Sequence, residues 1–424
     1  MRRNTLWSLL LALALIAAAC GGGDESSDDT DAGDASSGAT DGGESSGGSG
    51  EPAVDIEAMI AADLDDCEAP PTGDPIRVGM AMDFSDVVGF VDIPGSKYVP
   101  YVAELINCIG GVNGSPVEVR VEDVGGDADQ AGLAAQELLD WGAHFLIGPP
   151  FADFATPILQ TTGGEVPLFV AASTEPSLSN SDVNSYLVSF DDTLMSTAAA
   201  NWALEEGYTR AIVFTEGEGI PYTGYNPDVF AKAFTDGGGE VVSTQTYVWG
   251  ADTDFSAQVN EIAGISENNE IVFSAALAFQ VGALRSQLEG QGLDGLGYIG
   301  TDALDASGIQ VTENNEGIAH TPHVSIEAGD NNDTLMANFA AHTGEELDSR
   351  GFMPLYIDSL LLGLQGIANC GCTEPAQIGE AVRQLENFEG MSGTITYAGT
   401  TGTPPKSVPI NQIVDGVDTN VGFQ

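Results

Sequence analysis

The strongest constraint on the fold is a regular alternation of short apolar segments with helix-like segments, from residue 76 to roughly residue 302. Apolar residues follow one another without alternation in the apolar segments, which is typical of strands in parallel sheets covered on both faces. The intervening segments place apolar residues on one helix face, as Val99, Val102 and Ile106 do. The pattern predicts an α/β fold with parallel-type central sheets. The predicted strands are 76–82, 117–124, 144–149, 166–172, 211–216, 240–248, 270–276 and 296–302.

A break at residues 189–192 separates the first four predicted strands from the last four. Asp192, followed by Thr193, has the character of a helix N-cap. The break therefore predicts two doubly wound units. In such units a ligand binds at the carboxyl ends of the strands, here in the cleft between the two.

The first residues are typical of an export signal. Arg2 and Arg3 precede an apolar run at 6–19, which is shorter than the roughly 20 residues of a membrane-spanning helix but suits a signal peptide. The sequence Ala-Ala-Ala-Cys at 17–20 is similar to a bacterial lipobox, in which the cysteine is acylated. We therefore predict a signal peptide at 1–19 and a lipid anchor on Cys20. A secretory signal cut nearby, with Cys20 incidental, is the alternative.

A tether follows the predicted anchor. Residues 21–50 contain ten Gly, seven Ser and eight Asp or Glu, a composition that cannot bury apolar area. We predict a disordered linker at 20–53 and an N-terminal extension at 54–75, with one acidic helix at 54–66. The protein is then extracytoplasmic and held at the cell membrane by its N-terminal lipid alone.

The charge balance excludes several classes of function. The chain has 64 Asp and Glu against 11 Lys and Arg, a formal net charge of −53, whereas nucleic-acid binding requires a basic patch. The acidic surface repels anionic ligands at long range but not zwitterions or cations. No hydrolase, zinc-protease or P-loop signature occurs in the folded region, and the glycines at 292–297 precede a predicted strand instead of following one. We expect no enzymatic activity, no cofactor, no metal and no catalytic residue.

Four cysteines besides Cys20 predict two disulfides in an exported protein, with three possible pairings. Cys67 precedes the first strand and Cys108 ends the first helix, so this pair would hold the N-terminal extension down. Cys370 and Cys372 would then form the second disulfide. Metal binding by the latter two is the alternative.

Several motifs in order resemble one family. They are MDFSDVVGF (82–90), LINCIGGVNGSPVEV (105–119), the segment beginning GDADQAG at 126, LIGPP (146–150), VPLFVAASTEPSLS (166–179), DFSAQV (254–259), GTD (300–302) and FEGMSGTITYAGTTG (388–402). Together they resemble the type I periplasmic binding proteins, in the leucine/isoleucine/valine-binding branch that feeds ABC importers.

The resemblance implies two Rossmann-like lobes joined by three hinge crossovers. Lobe 1 would comprise 76–189 and 321–392, and lobe 2 would comprise 190–320 and 393–424. It also implies a monomer that captures a small polar solute, such as a branched-chain or related amino acid, by hinge closure and delivers it to ABC permease subunits. A lipid-anchored sensory receptor, or a binding protein for amides, urea or small carboxylates, is the alternative.

The same resemblance implies the ligand-binding residues. In lobe 1 the ligand carboxylate would meet Ala152 and Asp153, and then Ala172, Ser173 and Thr174. Helix capping is the alternative role for Ser173 and Thr174. In lobe 2 Tyr222 would close over the ligand and Asp302 would bind its ammonium group; the alternatives are an exposed loop aromatic and a helix N-cap. Further candidates for the walls are Phe279, Phe90, Tyr225 and Phe352.

Overall fold

Two sheets, each flanked by helices, form the part of the chain that this computed structural model describes, residues 51–67, 70–85, 89–216, 220–305, 315–325, 330–347 and 349–424. The predicted signal peptide 1–19, Cys20 and nearly all of the linker lie outside these residues. The first sheet is entirely parallel, in the order β2-β1-β3-β4-β5. Its strands are β1 (Ile76–Met82), β2 (Val117–Asp123), β3 (Phe145–Gly148), β4 (Leu168–Val170) and β5 (Ser185–Leu187). The helices of this region are α1 (Ile56–Ile60), α2 (Gly89–Cys108), α3 (Ala128–Trp141) and α4 (Ala152–Thr162).

The second sheet follows after the crossing at 188–191. Its first strands are β6 (Arg210–Thr215), β7 (Glu240–Thr246), β8 (Ile271–Ser274), β9 (Gly297–Gly300) and β10 (Ile318–His320), with helices α5 (Asp192–Glu205), α6 (Pro221–Asp236), α7 (Ser256–Ala263) and α8 (Ala278–Gly290). The chain then returns to lobe 1 with α9 (Asp330–Thr343), α10 (Met353–Cys370), α11 (Pro375–Arg383) and the hairpin of β11 (Phe388–Gly390) and β12 (Gly393–Ile395). It ends in lobe 2 with β13 (Pro409–Val414) and β14 (Val417–Phe423), which add an antiparallel edge to a parallel sheet ordered β14-β13-β10-β9-β8-β6-β7.

The core explains why these segments fold in this way. Every residue of β3, β4 and β8 is buried, as continuous apolar strands require. Helix α10 is buried along almost its whole length and packs with α2 on one face of the first sheet. The family-level prediction of an α/β fold with two lobes is confirmed.

Several boundaries differ from the sequence predictions. The acidic helix predicted at 54–66 is confined to Ile56–Ile60. The N-cap of α5 is Asp191, whose carboxylate accepts a bond from Leu194 N, while Asp192 is buried in the first turn. The third crossing lies after Gly402 rather than at 392–393, because Leu187 N donates to Gly402 O and Tyr397 Oη donates to Leu187 O.

Both predicted disulfides are present, Cys67–Cys108 and Cys370–Cys372. The first fastens the N-terminal extension to the end of α2. Ala53 N also donates to Gln365 Oε1 at 2.7 Å, so the extension is held against α10 as well. Among the described helices, none combines the length and hydropathy that crossing a bilayer requires.

Candidate functional site

A cleft lies where the carboxyl ends of both sheets face each other. Its cavity volume is about 70 Å³, room for a few water-sized groups, and part of it is open to solvent. Residues that follow β1, β3 and β4 line it from lobe 1, and residues that follow β6, β7, β8 and β9 line it from lobe 2. The predicted site residues that line it are Phe90, Ala152, Asp153, Ala172, Ser173, Thr174, Tyr222, Asp302 and Phe352.

Two backbone segments form the wall of lobe 1. Helix α4 begins beside the cleft with Phe151 as an N-cap that makes no side-chain capping bond, so the first-turn N–H groups at Ala152 and Asp153 face no capping side chain. After β4, Ser173 and Thr174 are buried. Ser173 Oγ accepts a bond from Glu175 N at 3.2 Å, and Thr174 O accepts one from Asp192 N at 2.7 Å. Ser173 therefore caps its own turn and also lines the cleft.

The wall of lobe 2 is built around Asp302. Tyr222 lies in the first turn of α6, where its hydroxyl donates to Asp302 Oδ1 at 2.5 Å and contacts Thr301. Asp302 follows β9 and is 7% exposed. Thr301, not Asp302, occupies the N-cap position of the following turn. The capping alternative for Asp302 and the exposed-loop alternative for Tyr222 are both wrong.

His323 connects this wall to the hinge. Its Nε2 lies 3.0 Å from Asp302 Oδ2, and its Nδ1 lies 2.9 Å from Ser189 Oγ in the first crossing. The imidazole also stacks on Phe190. The sequence offered no signal for this role, because a single His at the second crossing has no local motif.

Burial determines the protonation of two groups beside the cleft. Removal from water and the adjacent Asp302 carboxylate raise the pKa of Tyr222 well above its ordinary value, so its hydroxyl stays a donor. Burial raises the pKa of Asp192 to about 7, against hydrogen bonds from Thr174 and Asn226 that lower it.

Several lining residues were missed by the sequence analysis, and two candidates lie elsewhere. Phe279 is 50% exposed on α8 and does not line the cleft, whereas the preceding Leu277 does. Tyr225 is exposed on α6, where its hydroxyl bonds to Thr193. Glu175 and Trp249 also line the cleft and were not predicted, and Phe151, which directly precedes the predicted Ala152, lines it as well. Their one sequence signal is that each follows a strand closely.

Phe151 and Trp249 meet across the cleft. Their ring centroids lie 6.2 Å apart in an edge-on arrangement, one ring from each lobe. Trp249 Nε1 donates to Ala275 O at 3.2 Å, and Trp249 N donates to Glu216 Oε1 at 3.1 Å. These bonds hold the indole in place within lobe 2, and Phe151 completes an aromatic wall from lobe 1.

A buried carboxylate near the start of α2 leads to a prediction about pH. Asp92 accepts bonds from Asp83 N and Tyr356 Oη, and burial raises its pKa from 3.8 to about 7. The folded protein therefore keeps a proton that the unfolded chain releases, and this group lowers the free energy of unfolding as pH rises from about 4 to 7.

Asp92→Asn imitates the protonated acid and does not titrate. We therefore expect the free energy of unfolding of the variant, relative to that of wild type, to rise by about 1–4 kcal/mol between pH 4 and pH 8. Urea unfolding at both pH values measures this, with Asp228→Asn on the exposed face of α6 as the matched loss of charge. A pH-independent difference for Asp92→Asn would contradict the assignment.

Comparison with known proteins places the chain among solute-binding proteins. The family model described as "Periplasmic binding protein" matches residues 75–418. The chain is 23% identical over 357 residues to "Leu/Ile/Val-binding protein homolog 3" of Brucella melitensis, covering 80% of this chain and 92% of that protein. It is 24% identical over 310 residues to the "Leucine-, isoleucine-, valine-, threonine-, and alanine-binding protein" of Pseudomonas aeruginosa, covering 69% of this chain and 78% of that protein.

Solved structures share the fold. The branched-chain amino acid transporter substrate binding protein of Streptococcus pneumoniae, in complex with isoleucine, has a TM-score of 0.69 at 19% identity and covers 83% of this chain and 100% of its own. A solute binding protein of R. palustris, in complex with benzoate, has a TM-score of 0.66 at 18% identity and covers 83% of this chain and 96% of its own.

Proposed function

The chain belongs to the periplasmic binding protein family, and we propose that it is the extracytoplasmic solute-binding component of an ABC importer. The observation that carries the proposal is the cleft itself. Polar side chains from both lobes, Ser173 and Thr174 on one side and Tyr222 and Asp302 on the other, converge on one space at the ends of two parallel sheets. Closure of the lobes would sequester a small solute there and present the closed form to permease subunits.

The ligand class follows from the chemistry of the two walls and from the relatives. Asp302 is a desolvated carboxylate at the cleft, which suits an ammonium group of the ligand. Ser173, Thr174 and the first turn of α4 offer hydrogen-bond donors to its other polar end. The relatives are named for binding branched-chain amino acids, and structural neighbours hold isoleucine, leucine or benzoate. We propose an amino acid or a related small amine, with Phe90 as part of the wall.

A thermal-shift screen tests this function. Residues 21–424 are mixed with amino acids, amino acid amides, urea and small carboxylates, one compound at a time. A ligand that binds only the folded state adds RT ln(1 + [L]/Kd), about 4 kcal/mol at a thousandfold excess over Kd. We expect a clear rise in melting temperature for one chemical class. No rise with any compound would contradict capture of this kind of solute.

We also propose that Cys20 carries the lipid anchor. The two disulfides support an oxidising compartment outside the cytoplasm. We expect Cys20→Ser to move the protein from the membrane fraction to the soluble fraction, because the acyl attachment is lost. Immunoblots of both fractions measure this, with Ser26→Ala in the same tract as the control. Retention of Cys20→Ser on membranes would contradict the anchor.

A further inference from the structure

The charged side chains that line the cleft all have the same sign. They are Asp153 and Glu175 from lobe 1 and Asp302 from lobe 2. No Lys, Arg or His is among the described residues that line it. The internal segments that the structure does not describe contain no Lys or Arg in sequence.

The cations of the folded region are engaged elsewhere. Each Lys and Arg from residue 77 onward lies close to a carboxylate or hydroxyl outside the cleft. The pairs are Arg77–Glu118, Lys97–Glu345, Arg120–Glu122, Arg210–Glu270, Lys232–Asp236, Arg285–Glu289, Arg350–Asp333, Arg383–Glu380 and Lys406–Ser392. A ligand carboxylate in the cleft would therefore meet no positively charged side chain.

The two acidic residues of lobe 1 stand where a ligand carboxylate would bind. Asp153 is the second residue of α4, so its own charge already complements the positive end of that helix. Glu175 follows Ser173 and Thr174, so it adds a negative charge beside the hydroxyls of this wall. Asp153 is exposed and Glu175 is partly buried, so water screens part of the repulsion, but both carboxylates oppose a ligand carboxylate at this wall.

The remaining surface suits an apolar body. Phe151 and Trp249 form the aromatic wall described above, and Leu277 and Phe352 line the cleft beside other apolar groups. An aromatic face also attracts an ammonium group. Asp302 can bind the ammonium group of such an amine, and the aromatic wall can contact its apolar body.

We propose that the cleft selects a small organic amine without a carboxylate, a net cation with an apolar or aromatic body, in preference to the corresponding amino acid. This inference rests on the proposed function, because it names the ligand class of the same cleft.

Matched pairs of probes test the inference. Isothermal titration of residues 21–424 uses phenylalaninamide against phenylalanine and leucinamide against leucine, with benzoate as an anionic probe. The titrations are run at pH 6.5, below the α-amino pKa of about 7.7–8.0, so that the amines are charged. We expect each amide to bind at least about tenfold more tightly than its amino acid, a difference of about one unit in log Kd.

The outcomes separate the inference from the proposed function. Equal or tighter binding of the amino acids, or binding of benzoate alone, would overturn the inference and leave solute binding in place. Binding of none of these probes would overturn the inference, and the broader thermal-shift screen then decides the proposed function separately.

Two charge-removing variants test the assigned residues. Asp153→Asn combined with Glu175→Gln should lower the amide-to-amino-acid affinity ratio by about tenfold, since two like charges no longer oppose the ligand carboxylate. Asp228→Asn, which removes an exposed charge on α6, is the control and should leave the ratio unchanged. Melting temperatures of all variants verify folding. An unchanged ratio in the double variant would overturn the assignment of Asp153 and Glu175.

Discussion

Replacement of Asp302 by Asn should reduce ligand affinity by about 2–5 kcal/mol, roughly thirtyfold or more. Asp302 is the only charged side chain among the described residues with which lobe 2 lines the cleft, and it is 7% exposed. A ligand ammonium would therefore lose its one carboxylate partner in that lobe. Isothermal titration with the best ligand from the thermal-shift screen measures the loss.

The choice of Asn matters because Asp302 also has structural partners. Its oxygens face Tyr222 Oη and His323 Nε2, and Ala would leave both groups without their partner. Asn keeps the shape and an acceptor for Tyr222, so we expect its melting temperature to stay close to that of the parent. Asp228→Asn controls for the loss of one charge from the same lobe. Unchanged affinity for Asp302→Asn would remove Asp302 from the binding site.

The two disulfides should differ sharply in their contribution to stability. Cys67 and Cys108 are 41 positions apart, so their bond closes a long loop and restricts the unfolded chain; we expect Cys67→Ala with Cys108→Ala to lose about 2–4 kcal/mol. Cys370 and Cys372 are separated by 2 positions, and the same replacement there should cost far less, because hardly any chain entropy is at stake. Urea unfolding of both double variants measures the free energies. Equal losses would contradict this account.

The first disulfide also has a consequence for the proposed anchor. It holds the N-terminal extension to α2, while Gln365 of α10 binds Ala53. Both contacts are with lobe 1. In the proposed function the linker would therefore attach to lobe 1, and closure would move lobe 2 relative to the tethered lobe.

Local sequence pattern was sufficient for most of the framework. The eight predicted strands correspond to β1–β4 and β6–β9: continuous apolar runs mark internal strands such as β3 and β8, while β2 and β7 lie at sheet edges and are only partly buried. The short strands β5 and β10 were missed. Each has only three residues, and Ser185 and His320 interrupt the apolar pattern, so their pairing depends on neighbours distant in sequence.

The sequence by itself determined the α/β order, the two lobes and the position of the cleft, because parallel strands bring their following loops to one edge. It also placed Ser173, Thr174, Tyr222 and Asp302 in such loops or helix starts. Only the tertiary structure decided which neighbours share the cleft: Trp249 faces Phe151 from the other lobe, His323 reaches Asp302 from a crossing, and Phe279 turns outward on α8. Such contacts depend on how two sheets and three crossings pack in space, and no local period in the chain encodes that packing.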